Sequence, residues 1–169
     1  MADIDNILAE ISAIYRRRGK GELELPLSVR SRTLLSYANE YKQAATVLHA
    51  TSPQLFLVYI QLIGHSVELA MKSCLAAVGV EPPRDARGHD LIDLYRRIQP
   101  LGFNLPDSDF ATLAHLHHLY SSDLTTNSKY KSRYPTDRHE WVVGVMPEHH
   151  VLAEIIEKLC HQSGEYCES

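Results

Sequence analysis

The feature that most constrains the fold is the spacing of apolar residues, which recur every three or four positions through most of the chain. That spacing places one apolar stripe along a helix, and the strict alternation that marks a half-buried strand is nearly absent. The sequence therefore predicts an all-α protein, an up-and-down bundle of four to five helices with an extra N-terminal helix. The predicted helices cover residues 3–18, 31–50, 52–78, 91–98 and 107–121, with a last helix that starts near Pro147.

Glycine, proline and capping residues divide the chain between these helices. Two glycines and a proline break the pattern after the first helix, so residues 1–30 are predicted as an N-terminal helix with a linker and 31–165 as the bundle. Ser52, followed by a proline, is predicted to cap the third helix, and Gly79 is predicted to end it. Asp90 is predicted to cap the short helix that follows.

Length, charge and cysteine usage exclude several classes of protein. A chain of 169 residues is long enough for one domain with a true core. Its net charge of −4 argues against broad, non-specific binding of nucleic acid, which depends on many phosphate contacts. The longest apolar run, Leu55–Ile60, is far short of the roughly 20 residues that cross a bilayer, so no membrane span is expected. The acidic start is unlike a secretory signal, and an odd count of three cysteines favours the reducing cytoplasm.

A narrow polar line crosses the most apolar helix. Gln61, His65, Glu68 and Lys72 are four, three and four residues apart, which places them on one side of that helix. One interpretation is a thin solvated face on which Glu68 and Lys72 form an ordinary ion pair. The other is a polar cleft or partner surface, in which a partly buried Glu68 orders neighbouring cationic groups. The sequence leaves both interpretations open.

Three segments, taken in order, resemble the HEPN family of prokaryotic helical domains. They are GHSVELAMKSCLAAVGV, GHDLIDLYRRI and KSRYP, and the resemblance covers about residues 32–160. Similar members have a Glu and a Lys four apart on a long helix, then His-Asp-Leu opening the next helix, then Arg-Tyr-Pro. The matching positions here are Glu68, Lys72, His89, Asp90, Leu91, Arg133, Tyr134 and Pro135.

The resemblance implies a helical bundle that pairs as a homodimer and works with nucleotides or RNA. It also implies a nucleotidyltransferase or an antitoxin as a protein partner. Near the third segment, tyrosines alternate with cations, a composition that can stack bases and hold phosphates. The residues predicted to bind a ligand or to support its site are His65, Glu68, Lys72, Arg84, His89, Asp90, Lys131 and Tyr134.

Catalytic HEPN proteins carry an arginine followed by four to six residues and a histidine. Two pairs fit, Arg84 with His89 and Arg133 with His139, and the later position favours the second. Histidine would act as general acid or base while arginine stabilises the scissile phosphate. About two such pairs are expected by chance in a chain with this many arginines and histidines. Binding of a nucleotide, RNA or a protein partner without catalysis is therefore the main prediction, and a metal-independent endoribonuclease that uses Arg133 and His139 at a dimer interface is the alternative.

Cofactor and metal motifs do not stand out. The chain has no Gly-rich phosphate loop, no Cys-x-x-Cys and no His-Glu-x-x-His. His115 and His118 lie three residues apart on one predicted helix and could face the same way. Two ligands, however, fall short of the three or four that a zinc site needs. Neither a cofactor nor a metal is predicted.

Overall fold

A computed structural model of the protein describes residues 25–83, 89–120 and 148–168, and within these ranges it contains helices and no strands. The predicted all-α class is confirmed. Five α-helices are present in the described part: α1 Leu27–Thr51, α2 Phe56–Ala77, α3 Leu91–Ile98, α4 Asp107–Tyr120 and α5 His149–Glu168. A short 3₁₀ turn, Gln99–Leu101, continues α3. Among the described residues, no helix combines the length and apolar character needed to cross a membrane.

Helices α1 and α2 pack against each other along a seam of small residues. On α1 the buried seam residues are seven apart: Ser31, Ala38 and Ala45. The Ser73 hydroxyl donates to the carbonyl of Ser31 at 3.0 Å, and the Ser66 hydroxyl donates to the carbonyl of Ala38 at 2.6 Å. Moving seven residues forward on α1 thus means moving seven back on α2, which defines an antiparallel register. Small side chains allow this close approach of the two backbones.

Helix α5 lies against both members of this pair. Its Ser163 hydroxyl is 2.6 Å from that of Ser73 and 3.2 Å from that of Ser31, so three buried hydroxyls meet where three helices cross. Buried hydroxyls that satisfy one another avoid the cost of an unpaired polar group. The apolar side of α5 completes the core with Leu152, Ile155, Ile156 and Leu159.

Two of the predicted helix boundaries are wrong. Helix α1 begins at Leu27, four residues before the predicted start. Ser52 does not cap α2; its backbone N–H instead donates to the Leu48 carbonyl at 2.8 Å and so closes α1. A turn follows, in which the Leu55 N–H donates to the Ser52 carbonyl, and α2 begins only at Phe56.

Two other predicted boundaries are confirmed. Gly79 lies just beyond α2 with a φ of 80°, a left-handed conformation that glycine adopts without steric cost. The Asp90 carboxylate accepts a hydrogen bond from the Asp93 N–H at 2.8 Å, which caps α3. The predicted N-terminal helix 3–18 and the polar segment 122–146 lie outside the described residues.

Candidate functional site

Glu68 is a buried carboxylate at the centre of α2. Only 1% of its surface is exposed, and both of its oxygens are used. The Lys72 ammonium donates to Oε1 at 2.8 Å, and the Tyr120 hydroxyl donates to Oε2 at 2.8 Å. The Nδ1 atom of His89 is 3.0 Å from Oε2, and that of His65 is 3.8 Å away. We call these five residues the Glu68 cluster.

The carboxyl group of Glu68 is ionised at neutral pH. Burial acts to raise its pKa, but the nearby His65 imidazole and the charge of Lys72 act the other way and prevail. Together with the hydrogen bonds from Lys72 and His89, they lower the pKa of Glu68 to about 2. An ionised carboxylate can only accept hydrogen bonds, so the Nδ1 atom of His89 must carry the proton.

Three separate elements bring the Glu68 cluster together. His65 and Lys72 come from α2 itself, about one turn before and after Glu68. Tyr120 is the last residue of α4, and His89 lies two residues before α3. Asp90, next to His89, caps α3, and its Oδ1 atom is 3.6 Å from Nδ1 of His117 on α4. The two residues before α3 therefore contact both neighbouring helices, His89 through Glu68 of α2 and Asp90 through His117 of α4.

Gly64 makes room for Tyr120. A Cβ atom at position 64 would overlap the ring carbons of Tyr120, so the ring lies directly on the α2 backbone. Only 2% of Tyr120 is exposed. Sequence reasoning missed both residues, although a glycine inside a long apolar helix is a known sign of close packing against a neighbour. That sign does not identify which side chain approaches.

The cluster reaches solvent through three of its members. The side chains of His65 and His89 are 31% and 35% exposed, and that of Lys72 is 14% exposed. Tyr41 of α1 contacts the His65 ring edge-on, with centroids 4.6 Å apart. The imidazoles of His65 and His89 and the ammonium of Lys72 thus lie at the surface, and the buried carboxylate of Glu68 lies close to all three. Such a surface suits an anionic or hydrogen-bonding ligand.

The predicted site residues divide into three groups. His65, Glu68, Lys72 and His89 are brought together, and Asp90 acts as the cap of α3. The solvated-face interpretation is wrong for Glu68, because that carboxylate is buried. The remaining predicted residues lie outside the described part of the chain: Arg84, Lys131, Arg133, Tyr134 and His139.

Other chemistry has less support in the described residues. No group of three His, Cys, Asp or Glu side chains in this part of the chain could hold a metal ion. Cys74 is a fully buried free thiol, and burial raises its pKa, so it is a poor nucleophile. Cys160 is partly buried, and burial raises its pKa to about 11.

Replacing Tyr120 with phenylalanine should isolate its hydrogen bond to Glu68. The ring keeps its place on Gly64, while the carboxylate loses a donor in a buried setting. Because hydrogen bonds to charged groups contribute about 1.5–3 kcal/mol, we expect Tyr120→Phe to lower the free energy of unfolding by about that amount. Urea unfolding followed by circular dichroism measures this change. The matched control is Tyr166→Phe, which removes the hydroxyl of an exposed tyrosine with a 3.4 Å contact to the Leu101 carbonyl; a loss equal to that of Tyr120→Phe would contradict the expectation.

Comparison of the chain with known protein families, with characterised proteins and with solved structures finds no match.

Proposed function

We propose that the protein is a HEPN-like helical module that binds a phosphate-bearing ligand, a nucleotide or RNA, at the Glu68 cluster and does not transform it. The observation that carries the proposal is the buried, ionised Glu68, which holds Lys72, His65 and His89 in place at the surface. The order of the family-like motifs along the chain supports the same conclusion.

Fixed donors are what make this cluster suitable for binding. A long lysine side chain loses rotamer freedom when it binds a ligand, but Lys72 is already ordered by its 2.8 Å bond to Glu68. The His89 ring is likewise oriented by its 3.0 Å contact with the carboxylate, and it can donate to a phosphate oxygen from its second nitrogen only as an imidazolium. Pre-ordered donors lower the entropic cost of binding, and charge-assisted bonds to phosphate oxygens are the strong class of hydrogen bond.

The Glu68–His89 pair has the form of a general base oriented by a carboxylate, but the family resemblance gives a different pair as the catalytic residues. The alternative endoribonuclease uses Arg133 and His139, which lie outside the described residues. It remains a prediction from the family resemblance alone.

Binding of short single-stranded RNA and of nucleotides to the full chain tests the proposal. We expect fluorescence anisotropy, with chelator present, to report binding that weakens as salt is raised. The variant His89→Asn should weaken it about tenfold, the effect of one lost charge-assisted bond. Asparagine can still donate to Glu68 from near the Nδ1 position but lacks the remainder of the imidazole ring. The control His118→Asn changes an exposed histidine on α4 and should leave the affinity unchanged.

Three results would contradict the proposal. Absence of binding to both RNA and nucleotides would remove it, and so would an equal affinity of wild type and His89→Asn. RNA cleavage by the wild-type protein that His139→Ala abolishes would replace it with the endoribonuclease alternative.

The same resemblance supports three further proposals about context: a homodimer, a nucleotidyltransferase or antitoxin partner, and a cytoplasmic location. The free thiols of Cys74 and Cys160 suit a reducing compartment. Light scattering of the purified chain measures the first of these directly, since a dimer doubles the mass of 19.1 kDa.

A further inference from the structure

Three helix ends meet around the ring of His149, about two and a half turns along α2 from Glu68. His149 is the first residue of α5. Its Nδ1 atom is 3.1 Å from the Tyr59 hydroxyl, near the start of α2. Its ring stacks on that of His49, in the last turn of α1, with centroids 4.7 Å apart and planes inclined by 21°. These contacts join the start of α5 to both helices of the α1–α2 pair.

The contact between Tyr59 and His149 accommodates a neutral imidazole as the acceptor of a hydrogen bond. Burial raises the pKa of Tyr59 to about 12, so the phenol keeps its proton and can donate it to Nδ1 of a neutral His149. In that arrangement the single proton of His149 lies on Nε2. A second proton on His149 would convert this acceptor into a donor.

Among the described residues, several groups around His149 oppose that second proton. Tyr59 faces it from α2 with a donor, and His49 faces it from α1 with an ionisable ring. The N-terminus of α5, where His149 lies, carries the positive end of the helix dipole. On its own helix His150 adds a further ionisable ring, while the Glu148 carboxylate is 3.3 Å from His150 in an exposed position. Burial, His49 and His150, in that order, lower the pKa of His149 below its usual value.

We propose that His49, Tyr59 and His149 form a pH-dependent clasp, which holds the start of α5 against α1 and α2 at neutral pH and releases it in mild acid. A histidine that is neutral in the folded protein gains a proton more readily when its segment is released. Its contribution to stability is therefore complete above its unfolded pKa of about 6.5 and is lost as the pH falls below that value. The pH range in which His149 changes stability lies above the range in which Glu68 titrates. The contributions of these two residues to the pH dependence of stability can therefore be measured separately.

Amide hydrogen exchange of the full chain tests the clasp. After correction for intrinsic exchange rates, residues 149–155 should exchange faster at pH 5 than at pH 7.5, whereas residues 160–166 should not. Each unit by which folding lowers the pKa of His149 corresponds to about a tenfold change in the exchange rate of residues 149–155. In His149→Asn, an amide oxygen replaces Nδ1 as the acceptor and cannot titrate, so the acid response should disappear. The control His161→Asn changes an exposed histidine of the same helix and should keep the response.

Two outcomes would overturn the clasp. One is an equal exchange rate of residues 149–155 at the two pH values; the other is an unchanged acid response in His149→Asn. An NMR titration of the wild-type histidines gives a result even if that variant does not fold. We expect His149 to titrate below the ordinary histidine pKa of about 6.5, with the Tyr59 ring signals shifting at the His149 midpoint. A midpoint for His149 at or above that value would also exclude the clasp.

Discussion

Glu68→Gln should destabilise the fold by about 3–5 kcal/mol, the usual result of removing one partner from a buried ion pair. The substitution keeps size and shape but leaves the Lys72 ammonium without its counter-ion in a site that is only 14% exposed. A neutral amide also accepts the Tyr120 and His89 protons less strongly than a carboxylate does. For a domain of this size we expect the melting temperature to fall by about 10 °C, measured by calorimetry.

The pH dependence of stability gives a second measure of the same group. The pKa of Glu68 falls from 4.5 to about 2 on folding, which corresponds to about 3 kcal/mol. Because the folded pKa is the lower one, this stability is present above pH 4.5 and is lost as the pH falls towards 2. Glu68→Gln should therefore flatten the acid limb of the wild-type stability curve in that window.

The matched control for this prediction is Glu157→Gln. Glu157 also pairs with a lysine, Lys42, but its side chain is 64% exposed. Exposed pairs contribute about 0–1 kcal/mol, so the control should stay close to wild type. A loss for Glu68→Gln no larger than that for Glu157→Gln would show that the buried ion pair does not stabilise the fold.

Gly64→Ala should destabilise the protein by about 2–4 kcal/mol, although alanine is the better helix former. Alanine in a helix gains up to about 1 kcal/mol over glycine. The new methyl group, however, overlaps the Tyr120 ring, which is buried and tied to Glu68. Displacing a buried aromatic ring costs about 3–5 kcal/mol, which exceeds the helical gain. Chemical denaturation of the purified variant measures the net effect.

Gly164→Ala is the internal comparison, because this glycine also lies within a helix. Nothing lies within 4 Å of a Cβ atom at position 164 of α5, so we expect a gain of up to about 1 kcal/mol there. The two substitutions are chemically identical and should have opposite signs. In a Tyr120→Ala background the ring is absent, and Gly64→Ala should then become neutral or stabilising. Persistence of the full loss in that background would mean that Tyr120 is not the cause.

Local patterns predicted the parts of this structure that depend on neighbours in sequence. The 3.6-residue period identified the helices of the described part. Gly79 and Asp90 were assigned correctly because a helix end at a left-handed glycine and an N-cap each depend on only a few consecutive residues. The Glu68–Lys72 pair was predictable for the same reason, since it spans one helical turn. Ser52 was assigned wrongly because serine is common both at helix N-caps and in turns. Only the backbone hydrogen bonds distinguish the two roles.

The remainder of the Glu68 cluster depends on contacts between distant positions. His89 and Tyr120 are 21 and 52 residues from Glu68, and no periodic signal connects them to it. Tyr120, the last residue of α4, is 2% exposed, whereas Phe110 on the same helix is 36% exposed. The burial of Glu68 follows from how α3 and α4 pack on α2. The choice between a solvated face and a polar site therefore required the three-dimensional arrangement.

The three serines at the helix crossing imply an order of assembly. Ser31 and Ser73 are 42 residues apart and belong to adjacent helices, whereas Ser163 is 132 residues from Ser31. Closing the shorter loop costs less chain entropy, so the α1–α2 hairpin should form first. The hydroxyls of Ser31 and Ser73 then form a polar contact surface for a small hydrogen-bonding side chain of α5. If α5 packed in a different register, at least one of these hydroxyls would be buried without a partner. We therefore expect the serines to disfavour incorrect packing of the final helix.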